Sequence, residues 1–241
     1  KAINYFKNYI EKAPDGRFAL KSIEEIIKLD KSLSNYDNLL IAKGYYANGE
    51  FEKSKVFLNK TTLAESWSDF AKNEYKLGNK DKGNYYAELG LKQHAGNTAQ
   101  DDVYEVIDNY VAAASTRIEG ITKLANLGAN SNGADYIAYL NCNEVVGENV
   151  KEACFRSLYE KYPNGQFSAD SLYNLFMAKY LQKKYLDAQR LGFLHFKKFP
   201  NTKSSPAVTY FMGKIAYKLK HYESANNYYK QVISSYPDSY Y

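Results

Sequence analysis

The residues of this chain that could do chemistry are few and widely spaced. His94, His195 and His221 are the three histidines, and none has a second metal-type ligand at the i+3 or i+4 spacing by which one helix offers two ligands to an ion. No Gly-x-Gly-x-x-Gly run, no phosphate-binding loop and no nucleophilic serine with a nearby histidine occurs. The paired carboxylates Glu24-Glu25 and Asp101-Asp102 are sequence neighbours and read as solvated helix surfaces or caps. Cys142 and Cys154 flank a loop containing Gly147-Glu148-Asn149. Their spacing fits neither a zinc site nor a redox dithiol, which leaves two free thiols or a bridge across a helix-to-helix connection. Lys183, Lys184, Arg190, Lys197, Lys198 and Lys203 alternate with aromatics and form a candidate patch for an anionic partner. Arginine is sparse and no nucleic-acid module is recognised, which points away from nucleic acid. The pattern assigns no catalytic residue, no cofactor and no metal.

The elements that would position these residues are set by a repeat. An aromatic-proline doublet occurs at Tyr162-Pro163, Phe199-Pro200 and Tyr236-Pro237, at intervals of 37 residues. Sliding the chain along itself by that interval superimposes Tyr173 on Tyr210, Tyr180 on Tyr217, Tyr185 on Tyr222, Ala188 on Ala225 and Ser168 on Ser205. Self-similarity of this length is the mark of stacked supersecondary units, a solenoid. Proline disfavours helical geometry in the residue before it, so each doublet is expected to stop a helix at its aromatic. Ser205 is expected to cap the next helix with Pro206 at its first position, and Ser168 to take the same place one repeat earlier. A full unit then reads as helix A, a short turn at Lys183-Lys184 or Lys220-His221, and helix B. Gly213 and Ala225 fall where the two helices cross.

The remainder follows helical periods without long alternation of apolar and polar residues, so the chain reads as all-α. Ala2, Phe6, Tyr9 and Pro14 have the spacing of a B helix with its closing proline, as if the chain began inside a unit. Ser34 or Asn35 caps a helix that Asn48-Gly49 ends, and Trp67, Phe70, Ala71 and Tyr75 share the face of another that stops at Leu77-Gly78-Asn79. Further helices are expected over 101–114, 116–127, 134–140 and 150–162, with Leu127 to Gly133 as a loop or hinge. Three regions result: hairpins over 1–96, divergent hairpins over 97–154, and regular 37-residue repeats over 155–241.

Composition sets the class. Hydrophobic residues at 45% and charged residues at 24% are ordinary for a chain that folds, which argues against disorder. No stretch of eighteen apolar residues is present, so no transmembrane segment is read. The 25 tyrosines are the outlier, read chiefly as rings packed with their hydroxyls in water and otherwise as a ligand-stacking surface. Charge is uneven: residues 151–241 carry 14 Lys or Arg against 6 Asp or Glu, whereas 101–150 carry eight carboxylates against Arg117 and Lys123. The basic end is either a solvated face, a surface for an anionic partner, or one that meets the acidic region.

Met212-Gly213, Tyr217, Tyr222, Ala225, Tyr229 and Pro237 resemble the tetratricopeptide repeat, a helix-turn-helix unit with small residues at fixed points and a proline near its end. The preceding unit keeps Leu175, Tyr180, Tyr185, Ala188 and Pro200 but has Phe176 where the small residue belongs and Gly192 where an aromatic does. Looser matches run through Trp67, Phe70, Ala71, Tyr75, Gly83 and Ala87, and through Ile41, Ala42, Tyr45, Tyr46, Phe51, Ser54 and Leu58. The resemblance implies a superhelix of helical hairpins whose groove takes a protein or peptide partner. A 37-residue period closing in aromatic-Pro-Asn/Asp is similar to repeats of bacterial cell-envelope proteins. The segment Ser235-Tyr236-Pro237-Asp238-Ser239-Tyr240-Tyr241 resembles the lead into the catalytic domain of soluble lytic murein transglycosylases. Two functions are implied: a non-catalytic scaffold of the cell envelope, or the superhelical N-terminal region of such an enzyme, positioning a missing catalytic domain on peptidoglycan. The chain lacks that family's Glu-Ser followed by Gly-Leu-Met-Gln, and Glu65-Ser66 is a chance dipeptide. The resemblance to exported proteins implies an extracytoplasmic, periplasmic or envelope setting, where a Cys142–Cys154 disulfide would persist.

Overall fold

Proline has the effect expected of it. In the computed structural model, which describes residues 2–127 and 132–241, Tyr162, Phe199 and Tyr236 each follow the last helical residue and leave the helical region with nearly one conformation. Their φ,ψ pairs are −126°, 61°; −134°, 59°; and −137°, 55°. Among the described residues there are fourteen α-helices, one 3-10 turn at Ala95–Asn97 and no strand. The helices are α1 (Ala2–Lys12), α2 (Ala19–Leu29), α3 (Asn35–Ala47), α4 (Phe51–Leu58), α5 (Leu63–Lys76), α6 (Lys80–Gln93) and α7 (Gln100–Ala113). They continue as α8 (Arg117–Asn126), α9 (Ala134–Glu144), α10 (Glu148–Lys161), α11 (Ser168–Leu181), α12 (Tyr185–Lys198), α13 (Ser205–Lys218) and α14 (Tyr222–Ser235). The all-α stack of helical hairpins is therefore the architecture. Most of the Gly-rich loop expected before Gly133 falls on 128–131, outside the described residues.

Two compact units form, Lys1–Ile137 and Ala138–Tyr241. The first is built around Ile10, Ile23, Ile26, Ile41 and Leu58, all buried. Ser34, not Asn35, caps α3: its Oγ accepts from Asp37 N at 3.2 Å while the Asp37 carboxylate accepts from Ser34 N at 3.1 Å, a reciprocal capping box. Trp67 lies fully buried over α6, with its Nε1 donating to Thr98 Oγ1 at 2.7 Å. A Cβ on Gly90 would stand 2.0 Å from the Trp67 ring, so only glycine fits there. In the second unit Phe176, Ala188, Val208, Met212 and Ile215 form one core, and Cys142, Phe155, Leu158 and Leu175 another.

One turn closes four hairpins. At Gly49, Gly78, Lys183 and Lys220 the chain adopts φ of 76°, 78°, 60° and 64°, just past the A helix. The N–H of each donates to the carbonyl of Tyr46, Tyr75, Tyr180 or Tyr217 at 2.9–3.0 Å, and the next N–H reaches one residue further back. This is the Schellman arrangement that satisfies the last carbonyls of a helix. The left-handed conformation suits glycine in the first unit and is imposed on lysine in the second.

A second turn joins hairpin to hairpin, and here the expected caps are corrected. Ser204, not Ser205, is the residue before α13, and Phe167, not Ser168, is the residue before α11; neither gives a side-chain cap. Ser205 is instead the first helical residue, with Pro206 behind it. Its Oγ donates to the Phe199 carbonyl at 3.0 Å and accepts from Thr202 N at 2.9 Å. Ser168 Oγ likewise donates to the Tyr162 carbonyl. The hydroxyl latches the new helix to the aromatic that stopped the old one, filling an acceptor the broken helix leaves open.

Candidate functional site

The A helices α11 and α13 present tyrosines 37 residues apart, Tyr173 with Tyr210 and Tyr180 with Tyr217. Helical spacing puts Tyr210, Phe211 and Lys214 on neighbouring positions of α13, and the Lys214 ammonium lies 5.5 Å from the Tyr210 ring and 5.7 Å from that of Phe211. Tyr180 approaches Phe211 at 4.9 Å between ring centroids, so the two helices share one aromatic face. Tyr217 and Tyr222 flank the turn with rings 5.4 Å apart and are more than half exposed. Burial, and then the neighbouring Tyr241 side chain, push the Tyr173 phenol up to about 12. Such a surface can stack on rings and hold polar groups.

The other repeat-defining residues are structural. Ala188 and Ala225 are buried where α12 and α14 cross their partners, and a Cβ on Gly213 would stand 2.7 Å from the Tyr229 ring. Tyr185 begins α12, and Pro200 and Pro237 sit in the turns after α12 and α14. The six basic residues are all exposed but do not form one patch. Lys183 and Lys184 lie in the turn before α12, and Lys197, Lys198 and Lys203 lie at or beyond its far end. Those ends are about 20 Å apart along the helix. Arg190 between them pairs with Asp187 at 3.6 Å, and Lys198 lies 5.3 Å from the Tyr159 ring.

Cys142 on α9 and Cys154 on α10 are joined by a disulfide, with Cα atoms 5.5 Å apart. Beside it, α10 and α11 enclose a cavity of about 170 Å³ lined by Phe155, Met177 and Leu181, with Glu152, Asn174 and Gln182 among its polar groups. Glu152 is already engaged by Lys179 at 2.7 Å, Arg156 at 3.0 Å and Gln182 at 3.2 Å, and its carboxyl is held below the usual range, chiefly by the Lys179 hydrogen bond. Such a cavity is small beside the clefts that hold organic ligands.

In the first unit Asp102 is not the solvated surface group expected. It pairs with the buried Lys72 at 2.5 Å, and Glu105 at 3.3 Å and Asp69 at 4.0 Å complete the set, with Lys43 3.6 Å from Asp69. Burial works against the Lys72 ammonium, but the three carboxylates more than offset it and raise its pKa. Burial raises that of Asp69. The network pins α3, α5 and α7 together, with the buried ammonium of Lys72 matched by carboxylates. Glu65 and Ser66 are likewise engaged at the start of α5: Thr62 Oγ1 donates to Glu65, and the buried Ser66 donates to the Thr62 carbonyl.

One pairing escaped the sequence. His195 Nε2 lies 2.9 Å from Ser204 Oγ, nine residues away across the end of α12, and no spacing rule announces it. Both are buried, and His195 Nδ1 has no hydrogen-bond partner, so the pair lacks both a substrate path and an orienting acid. Burial lowers the imidazole to about 4. No group of three His, Cys, Asp or Glu able to hold a metal occurs among the described residues, and none of their helices is long and apolar enough to cross a membrane.

Residues 212–239, spanning the second half of α13, all of α14 and the turn beyond, match the tetratricopeptide repeat family. No curated protein matches the chain.

Proposed function

We propose that this tetratricopeptide-like stack is a non-catalytic scaffold of the bacterial cell envelope, binding a protein or peptide partner on the A-helix faces of its hairpins. The carrying observation is the shared aromatic face of α11 and α13, with Tyr180 on Phe211 and Lys214 beside both Tyr210 and Phe211. Stacked hairpins commonly use such faces for partners. The extracytoplasmic setting is supported by the Cys142–Cys154 disulfide, since bridges persist in oxidising compartments. The test is photocrosslinking in envelope preparations. A photoreactive residue replacing Tyr180 or Tyr217 should capture one discrete partner, while the same residue replacing Ile233 on the exposed side of α14 should not. Equal capture from both faces, or none from the A-helix face, would remove this reading.

The charge distribution favours a second reading, the superhelical region of a lytic transglycosylase lying on peptidoglycan. Residues 151–241 hold a net excess of eight positive charges, suited to an anionic polymer. Co-sedimentation with purified peptidoglycan that is lost as salt rises would support it, and no retention at low salt would count against it.

A further inference from the structure

The outer face of α12 carries a stripe that the repeat does not require. Leu186, Arg190, Phe193 and Lys197 recur at steps of four, three and four residues, so they fall in one line about 16 Å long on a single helical face. All four are exposed, Leu186 at 63% and Phe193 at 52%. One repeat earlier the positions of the two apolar residues are held by Asn149 and Arg156 on α10, and one repeat later by Glu223 and Lys230 on α14, all exposed as well. Packing of the hairpin therefore leaves these positions free, and of the three helices α12 alone fills both with large apolar side chains. Cations close the stripe at either end, Lys183 and Lys184 before it and Lys198 and Lys203 after it. Over residues 183–203 six Lys or Arg stand against Asp187 alone. Asp187 pairs with Arg190 at 3.6 Å, an exposed ion pair that water weakens and that another anion can replace. At the equivalent positions of the flanking B helices the carboxylates Glu160 and Glu223 are matched by Arg156 and Lys230.

We propose that the outer face of α12 is a docking ridge for an anionic phospholipid surface, with Leu186 and Phe193 entering the headgroup boundary and Arg190, Lys197 and the lysines at the two ends meeting the phosphates. A polymer recognised by charge alone would leave Leu186 and Phe193 in water, and an uncharged apolar surface would leave the cations without partners. A bilayer with negative headgroups takes both. Lysine and arginine lay their methylenes along such a boundary while their charges stay at the phosphates. The hollow between α10 and the start of α12 is lined chiefly by polar and charged side chains, Arg156, Glu160, Lys179 and Lys184 among them, a poor seat for the apolar side chains of a protein partner. Contact is shallow, because the inner side of α12 is committed to its hairpin through the buried Ala188, Gly192 and His195. The ridge is separate from the A-helix faces of α11 and α13, so neither reading depends on the other.

The experiment is flotation of the full chain with vesicles of phosphatidylcholine alone and of phosphatidylcholine containing about 30% phosphatidylglycerol, at about 50 mM and about 500 mM salt. At the lower salt the anionic vesicles should bind the wild type at least about tenfold more strongly than the zwitterionic ones, and at the higher salt they should release it. Leu186→Glu with Phe193→Lys copies α14 and leaves the net charge unchanged, and it should lower binding to the anionic vesicles about tenfold. Arg190→Asn with Lys197→Ser, again the residues of α14, should lower it about twentyfold, each cation near the surface being worth about fivefold. Circular dichroism melting accompanies each variant; should a double substitution fail to fold, Phe193→Lys alone replaces it and should lower binding about threefold. Equal binding to the two vesicle types, no binding at the lower salt, or unchanged binding by Leu186→Glu with Phe193→Lys would overturn the proposal. If the vesicles fail while a photoreactive residue replacing Phe193 captures a discrete protein, the ridge docks a protein and the lipid proposal falls. Crosslinks from Tyr180 and Tyr217 test the scaffold reading separately and should persist in both double variants.

Discussion

The two regular hairpins of the second unit solve one packing problem in opposite ways. In α13–α14 the small residue is on helix A and the large one on helix B, with Gly213 under the ring of Tyr229. One repeat earlier the same positions hold Phe176 and Gly192, and a Cβ on Gly192 would meet Phe176 at 3.2 Å and the Met212 sulfur at 2.4 Å. The α9–α10 pair carries a ring on both sides, Tyr139 and Phe155 with centroids 6.1 Å apart, and is tied by the disulfide as well. Between α11–α12 and α13–α14 the summed volume is kept and which helix supplies the bulk is free, whereas α9–α10 holds a ring on each helix.

The strongest way to break that comparison is to convert one hairpin into the other. Gly213→Phe alone should cost roughly 3 kcal/mol or more by overpacking, and adding Tyr229→Gly, which recreates the Phe176/Gly192 pair, should recover at least about half of it. Urea unfolding followed by circular dichroism reads both, and a coupling below about 0.5 kcal/mol would mean the two positions do not compensate. Next in size, reducing the disulfide or replacing both cysteines by serine should cost about 3 kcal/mol in the chain-entropy account. Hydrogen exchange should place the loosening in α9 and α10 and spare the α13–α14 hairpin; uniform loosening would show that the bridge does not substitute for packing locally.

His195 and Val232, again 37 residues apart, extend the comparison to acidity. The His195 imidazole is lowered to about 4 from an ordinary value near 6.5, so the unfolded chain binds its proton first. Its stabilising contribution is whole above about pH 6.5 and is lost as pH falls through 4, with about 2 kcal/mol gone by pH 5. His195→Val, copying the next repeat, should remove that portion of the acid dependence, and an unchanged slope of stability between pH 7 and pH 5 would refute the assignment. The smallest effect is at the hairpin turns. Lys183→Gly and Lys220→Gly should each raise stability by about 1 kcal/mol, and Gly49→Ala should lower it by a similar amount, read as shifts in melting temperature.

The doublets made the helix stops legible because the proline effect is local and needs no knowledge of the rest of the chain. The same holds for Gly49 and Gly78, whose type announces the left-handed turn, whereas Lys183 and Lys220 adopt it without announcing it. Ser168 and Ser205 were misplaced by one residue because a serine near a helix start can bond forward as a cap or backward as a latch, and only the path of the preceding turn decides. Phe176 and Gly192 looked like departures from the repeat when read singly; they compensate each other across a helix crossing, which a linear pattern does not display. Tyr210, Tyr173 and Phe211 were visible as aromatics, but their meeting with Tyr241 depends on a turn that folds the chain back on itself.

The latch at the hairpin-to-hairpin turn has a further consequence. Donor and acceptor are six residues apart in both copies, Ser168 to Tyr162 and Ser205 to Phe199, so each junction is completed by residues of its own segment. A unit cut between one junction and the next carries a finished joint at its end, and adding or deleting it would leave the other joints as they were. The reach of the array is thereby quantised, adjustable by gene duplication in whole hairpins without redesign of any neighbour.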